Sequence, residues 1–180
     1  AGFAVYRPAS EGVSKICAVR RVAAIDWPDI GRKLAAATGA KVDVKILDDH
    51  AVFHVAGEGE DARRWLIDNV ADVTVLSQGA SVEIYKGVGD PDRIAERLHL
   101  AELSGSHAIG HTRMATESAV TIAGSHPFST GRDTCLVHNG SLSNHNRLRE
   151  HLRRHGERFQ TENDTEVAAA YLSWRMRSGD

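Results

Sequence analysis

Short apolar segments broken by turn residues constrain this chain more than any other feature. Each apolar segment is long enough for one strand, and helical segments lie between them without strict alternation. A doubly wound parallel sheet needs that alternation, so the sequence predicts an α+β architecture. The predicted strands span residues 2–6, 16–22, 42–46, 52–55, 73–76, 82–85, 107–111 and 134–138.

Turn and capping residues refine this prediction. Strands 42–46 and 52–55 are spaced as a hairpin, and so are strands 73–76 and 82–85. One helix is predicted from Asp26-Trp27-Pro28 to Gly39, and another begins at a Ser143 cap. The last predicted helix begins near Asn163-Asp164.

Composition limits the kinds of partner. The chain has 180 residues, 42% of them hydrophobic, which fits one domain spanning residues 1–180. Its 22 basic and 24 acidic residues nearly balance, which disfavours binding of nucleic acid through bulk positive charge. No apolar run is long enough for a membrane span, and no signal peptide is visible. With only two cysteines, we expect a reducing cytoplasm.

Polar groups in the last third each have a structural and a functional interpretation. Arg113 follows a strand and could bind a carboxylate, although a surface arginine is more common. Asn139-Gly140 is typical of a hairpin turn, or of an oxyanion hole built from an amide and a backbone N–H. Asp164 fits a helix start, or a carboxylate that holds an ammonium group. Taken singly, each structural interpretation is favoured.

Metal and thiol chemistry are not expected. His107 and His111 are four residues apart, but the segment is a predicted strand without an accompanying acid at zinc-enzyme spacing. We therefore expect no metal site and no cofactor. Cys135 lies inside a predicted strand and is expected to be a packing residue.

Taken together, the motifs resemble a family. The chain is similar to the class II (N-terminal nucleophile, Ntn) glutamine amidotransferases, most of all to the glutaminase part of glutamate synthase and N-methylglutamate synthase-type enzymes. The resemblance covers residues 107–175 and the first few, and residues 14–100 are interpreted by pattern alone, so an insertion there is left open. The matching stretches are Gly110-His111-Thr112-Arg113-Met114-Ala115-Thr116, Ser125-His126-Pro127-Phe128, Leu136-Val137-His138-Asn139-Gly140-Ser141-Leu142 and Asn163-Asp164-Thr165-Glu166.

The resemblance implies a four-layer αββα sandwich and hydrolysis of the glutamine side-chain amide. Ammonia would then pass to a synthase domain or subunit. By family analogy, Arg113 binds the glutamine α-carboxylate and Asp164 its α-ammonium group. Asn139 and Gly140 would form the oxyanion hole, and Thr116 would line the glutamine pocket. The partners expected are thus glutamine and a synthase, without nucleic acid or membrane.

Residue 1 departs from the family pattern. Gly2-Phe3 resembles the second and third residues of the family's mature N-terminus, where a cysteine at residue 1 is the nucleophile and its α-amine the base. Here residue 1 is Ala1, and neither Cys17 nor Cys135 falls at that position. Ala1 is either a replacement of the cysteine or native to a glutamine-binding pseudo-enzyme. The sequence as written is expected to be inactive, and Ala1→Cys to restore activity.

Length is the second departure. Family domains continue past the Asn-Asp-Thr-Glu helix, so the chain is expected to lack a C-terminal part or to be completed by a partner. An exposed sheet edge or apolar face would follow, hence a tendency to form oligomers. Two rival functions stay open: a non-catalytic glutamine-sensing or scaffold subunit, and an Ntn hydrolase acting on another amide.

Overall fold

The computed structural model describes residues 1–112 and 121–179, which contain seven strands and five α-helices. Arg113 and Thr116, two of the predicted site residues, lie outside the described residues. In chain order the elements are β1 (Gly2–Tyr6), β2 (Val13–Arg20), α1 (Trp27–Thr38), β3 (Val42–Leu47), β4 (His50–Ala56), α2 (Glu60–Asn69), β5 (Val73–Gly79), β6 (Val82–Lys86), α3 (Pro91–Arg97), β7 (His107–His111), α4 (His145–Arg154) and α5 (Asp164–Arg177).

Helix ends follow the capping residues of the sequence. At the start of α1, an Asp26 side-chain oxygen accepts a hydrogen bond of 2.8 Å from the Asp29 amide. The helix ends at Gly39 in the left-handed conformation, with φ of 70°. Helix α4 begins after Asn144, so the prediction of Ser143 as its cap is wrong by one residue.

Two antiparallel sheets form the centre of the fold. The three-stranded sheet has the order β6-β1-β7, and the four-stranded sheet has the order β3-β4-β2-β5. Because β1 is the middle strand, its first residue in the sheet, Gly2, lies between Lys86 of β6 and His111 of β7. One end of the three-stranded sheet thus gathers residues from three distant parts of the sequence.

Three buried clusters show how the layers pack. The first joins the two sheets, with Phe3 and Tyr85 facing Cys17 and Leu76. The second lies on the other face of the four-stranded sheet, where Trp27 and the rest of α1 pack with α2. The third joins α4 to α5. The predicted α+β class with two packed sheets is confirmed, and the packing is compatible with a layered Ntn-type sandwich.

Two strand predictions are wrong in detail. Strands β5 and β6 do not form a hairpin, because β5 is an edge of the four-stranded sheet and β6 an edge of the other. The chain crosses between sheets at residues 80–81. The predicted strand 134–138 is reduced to one isolated bridge, between Leu136 and Phe128.

None of the helices in residues 1–112 and 121–179 has the length and apolar character that a bilayer crossing requires. In the same residues, no group of three His, Cys, Asp or Glu side chains is arranged to hold a metal ion.

Candidate functional site

The end of the three-stranded sheet forms the floor of the candidate site. Ala1 extends β1 beyond the sheet, and its backbone N and O each form a hydrogen bond of 2.8 Å with Gly87. A Cβ built on Gly2 would lie 2.3 Å from the carbonyl oxygen of His126. A glycine at this position therefore allows the segment that carries His126 to cross closely over β1.

His126 connects this floor to α5. Its Nε2 atom lies 2.8 Å from Oγ1 of Thr165, and its ring centroid lies 4.5 Å from that of His111. Burial, with the nearby charges of His111 and Lys86, lowers the pKa of His126 to about 4. The imidazole is therefore neutral at pH 7. Sequence reasoning quoted His126 within a motif and gave it no role.

Asp164 lies at the first position of α5, beside the loop that contains Asn139-Gly140. Its Oδ2 atom accepts a hydrogen bond of 2.7 Å from the backbone N–H of Leu142. Asn163 caps the helix by accepting a bond of 2.9 Å from the Thr165 amide. Residues 139–142 and the start of α5 are therefore held together, although they are more than 20 residues apart in sequence.

Asn139 and Gly140 themselves are exposed. A Cβ on Gly140 would lie 3.0 Å from Nε2 of His138. The structure thus brings Asp164 together with the Asn139-Gly140 loop. His126 connects both to Gly2, at the start of β1. Arg113 and Thr116 follow β7 in the sequence, and β7 ends at His111 beside Gly2.

Lys86 is a buried cation under the same site. Only 2% of its surface is exposed, and its Nζ atom donates a hydrogen bond of 3.3 Å to the Ala123 carbonyl. The ammonium group also lies 4.3 Å from the centre of the Phe128 ring. Burial lowers the pKa of Lys86 to about 7, and nearby Glu166 partly opposes this shift. Sequence reasoning missed Lys86 because it ends an ordinary strand.

Residues 97–177 match the family model of the glutamine amidotransferase domain. The chain carries a glutamine amidotransferase domain. The matched range contains His126, Asn139, Gly140 and Asp164.

Several curated proteins are similar in sequence. The glutamine amidotransferase-like protein GlxB of Rhizobium meliloti is 51% identical over an alignment of 180 residues, which covers 99% of this chain and 60% of that protein. A putative glutamine amidotransferase of Methanothermobacter thermautotrophicus is 43% identical over 63% of this chain and 38% of its own length. A glutamine--fructose-6-phosphate aminotransferase of Vibrio vulnificus is 34% identical over 60% of this chain and 18% of its own length. The chain thus spans less than two thirds of each of these relatives.

The two cysteines of the chain are poor nucleophiles. Cys17 lies between the sheets, and burial raises the pKa of its thiol to about 12. Burial also raises the pKa of Cys135, whose Sγ atom lies 3.4 Å from the Tyr6 hydroxyl that donates to it. Both thiols are therefore protonated at neutral pH.

A cavity of about 580 Å³ lies elsewhere in the domain, between α2 and the second half of α5. Ser173, in its wall, is nine residues along α5 from Asp164, which corresponds to about 14 Å of helix. Several arginines in the cavity wall pair with acidic side chains, as in Arg177–Glu157 and Arg132–Glu58. Asp164 and the 139–142 loop do not line this cavity.

Proposed function

We propose that this domain binds glutamine and hydrolyses its side-chain amide to glutamate and ammonia. Asp164 binds the α-ammonium group, Arg113 binds the α-carboxylate, and Thr116 lines the pocket. Asn139 and Gly140 supply the oxyanion hole. The observation that carries the proposal is the hydrogen bond of 2.7 Å from the Leu142 amide to Asp164, which joins the ammonium site to the oxyanion loop.

The chemistry of glutamine requires this combination of groups. Free glutamine is a zwitterion, so a selective site needs a cation and an anion a few ångströms apart. A carboxylate has about four lone-pair positions, so Asp164 can accept the Leu142 amide and still bind an ammonium group. Attack on the amide forms a tetrahedral oxyanion, and each aimed donor stabilises the transition state by about 3–4 kcal/mol.

The nucleophile is a separate part of the proposal. Ala1 at the nucleophile position stays a prediction, as does the inactivity of the sequence as written. Ammonia release from glutamine by an Ala1→Cys variant with a free α-amine decides it. Release of ammonia assigns the nucleophile position to residue 1, whereas glutamine binding without release contradicts the proposed hydrolysis and favours the non-catalytic alternative.

The destination that we propose for the ammonia is based on the names of the similar proteins. We propose transfer to a synthase domain or subunit, because the name of the Vibrio vulnificus relative describes an aminotransferase that uses glutamine. That protein is much longer than the part matched here, since the chain covers 18% of it. The closer likeness to glutamate synthase stays a prediction. The alternative function is a non-catalytic glutamine-binding regulatory or scaffold subunit.

Calorimetry with glutamine tests the proposed site. We expect Asp164→Asn to weaken glutamine binding by about 10- to 150-fold, because a hydrogen bond to a charged group contributes about 1.5–3 kcal/mol. Asp92→Asn is the matched control, since Asp92 is an exposed aspartate in the first turn of α3. The sequence with Ala1 is taken as wild type in this and the following experiments. Wild-type protein that binds no glutamine, or equal affinity in both variants, would contradict the proposal.

A further inference from the structure

We propose that Arg149 and Glu166 are positioning residues that fix the Asp164 carboxylate for the glutamine α-ammonium group. The inference rests on the proposed function and deepens it. Both side chains are buried and charged, with 2% of Arg149 and 4% of Glu166 exposed. Both act on the four residues that precede Asp164, the 160–163 loop.

Arg149 binds the carbonyl groups of this loop. It lies on α4, and its Nη1 atom donates to the Thr161 carbonyl oxygen at 2.6 Å while Nη2 donates to that of Asn163 at 3.2 Å. The guanidinium carbon lies 4.9 Å from the centre of the Phe159 ring. A planar guanidinium can hold two carbonyls in a fixed relation, which a lysine ammonium cannot do as well.

Glu166 binds the N–H groups of the same loop. Its Oε1 atom accepts a hydrogen bond of 2.8 Å from the Gln160 amide. Its Oε2 atom accepts two more from Thr161, one of 2.8 Å from the amide and one of 2.7 Å from the hydroxyl. Opposite charges therefore hold opposite groups of one loop, the carbonyls by Arg149 and the amides by Glu166.

The loop determines where α5 begins. Asn163, whose carbonyl Arg149 binds, is the cap of α5, and Asp164 is the first helical residue. The Asn163 side chain also donates a hydrogen bond of 3.3 Å to the Gly124 carbonyl, close to the His126 segment. A shift in this loop would therefore move Asp164 relative to the 139–142 loop.

A positioning role explains why charged groups are buried here. Removing two charges from water costs free energy that a buried apolar pair would not, so stability alone is a weak reason for them. Placement of a ligand group is sensitive, since an error of about 1 Å can cost about 100-fold in rate. Groups that bind a ligand directly need such support from the residues behind them.

The test compares glutamine with 4-carbamoylbutanoate, which is glutamine without its α-amino group. Calorimetry on wild-type protein should show a preference for glutamine of at least about tenfold. Arg149→Lys should lose most of this preference, because glutamine affinity falls while affinity for the analogue changes less than about twofold. A general structural defect would weaken the binding of glutamine and of the analogue equally. The ratio of the two affinities therefore distinguishes a positioning role from a loss of stability.

Arg153→Lys is the matched control. Arg153 is one turn further along α4, pairs with Glu150 at 2.6 Å, and lies 5.9 Å from the same Phe159 ring. It should keep the full preference for glutamine.

Glu166→Gln, like Arg149→Lys, should lose the preference for glutamine, because its side-chain amide group would face N–H donors. It is the second test variant, used if Arg149→Lys does not fold.

The outcomes distinguish this inference from the proposed function. Full glutamine preference in a folded Arg149→Lys or Glu166→Gln protein overturns the positioning role while the glutamine site stands. Absence of glutamine binding by the wild type overturns the site itself. The double variant Arg149→Lys/Asp164→Asn should bind glutamine as Asp164→Asn does, because both changes remove the same contact. Full additivity would contradict the inference.

Discussion

At the scale of single residues, three buried charged side chains hold the parts of the candidate site. Lys86, Arg149 and Glu166 are each at most 4% exposed and lie near the start of α5 or the start of β1. Each forms hydrogen bonds with backbone groups, since Lys86 donates to a carbonyl and the other two bind the 160–163 loop. Such groups hold chain segments that are distant in sequence, and here those segments form the candidate site.

Lys86 should make stability depend on pH. Its pKa falls from an ordinary 10.5 to about 7 in the folded protein, so the unfolded chain binds the extra proton between those values. The free energy of unfolding of the wild type, relative to Lys86→Met, should therefore rise by up to about 1.4 kcal/mol per pH unit over this range. Below pH 7 and above pH 10.5 this difference in free energy does not change with pH, because the folded and unfolded states then bind the same number of protons at Lys86.

Urea unfolding of both proteins between pH 7 and 10 measures this difference. Taking the difference cancels the titration of the tyrosines and cysteines, which both proteins share. A difference that does not change with pH would mean that Lys86 keeps an ordinary pKa and is not buried as described.

The sequence predicted the motif residues of the candidate site but not the buried charged side chains that support them. Asp164, Asn139 and Gly140 were predicted because their order and spacing resemble a family. Arg149 was missed because it lies in a helix rich in arginine and histidine, where a charge is usually solvated. Its burial depends on Phe159 and the 160–163 loop, which pattern analysis cannot place against α4.

At the scale of elements, Asp133 explains why β5 and β6 separate. Its carboxylate accepts hydrogen bonds of 2.8 to 3.0 Å from the amides of Ala80, Ser81 and Val82 and from the Ser81 hydroxyl. A Cβ on Gly79 would lie 2.2 Å from the same carboxylate, so glycine is needed there. The hairpin prediction failed because this remote carboxylate binds the amides of the connection.

Asp133→Asn should destabilise the domain by about 1.5–3 kcal/mol, because an amide group would face backbone donors. Burial opposes ionisation of Asp133, but these hydrogen bonds outweigh it and hold its pKa below the ordinary 3.8. Its contribution to stability is therefore present above about pH 4 and is lost as the pH falls through the folded pKa.

Urea unfolding at pH 7 measures the effect, and Asp43→Asn is the control, since the Asp43 side chain is 73% exposed on β3. Equal stability of the two variants would show that the carboxylate does not hold the connection between the sheets.

At the scale of the whole molecule, two sheets pack together and the candidate site lies at one end of the three-stranded sheet. The class of fold and most helix starts were predictable, because capping residues and apolar periodicity are local signals. Which strands share a sheet was not, because that depends on contacts such as Asp133 with residues 80–82. Apart from Val13, residues 14–100 supply the whole four-stranded sheet and β6. The single-domain boundary and the oligomeric state stay predictions. Helix α5 exposes Leu172 and Met176.

Crystals of the wild-type protein soaked in glutamine test the central claim most directly. We predict electron density for glutamine with its α-ammonium group within hydrogen-bonding distance of the Asp164 carboxylate. The α-carboxylate should lie on Arg113, and the side-chain amide should point toward Asn139-Gly140. Glutamine bound at another surface, or in the reverse orientation with its α-ammonium away from Asp164, would contradict it.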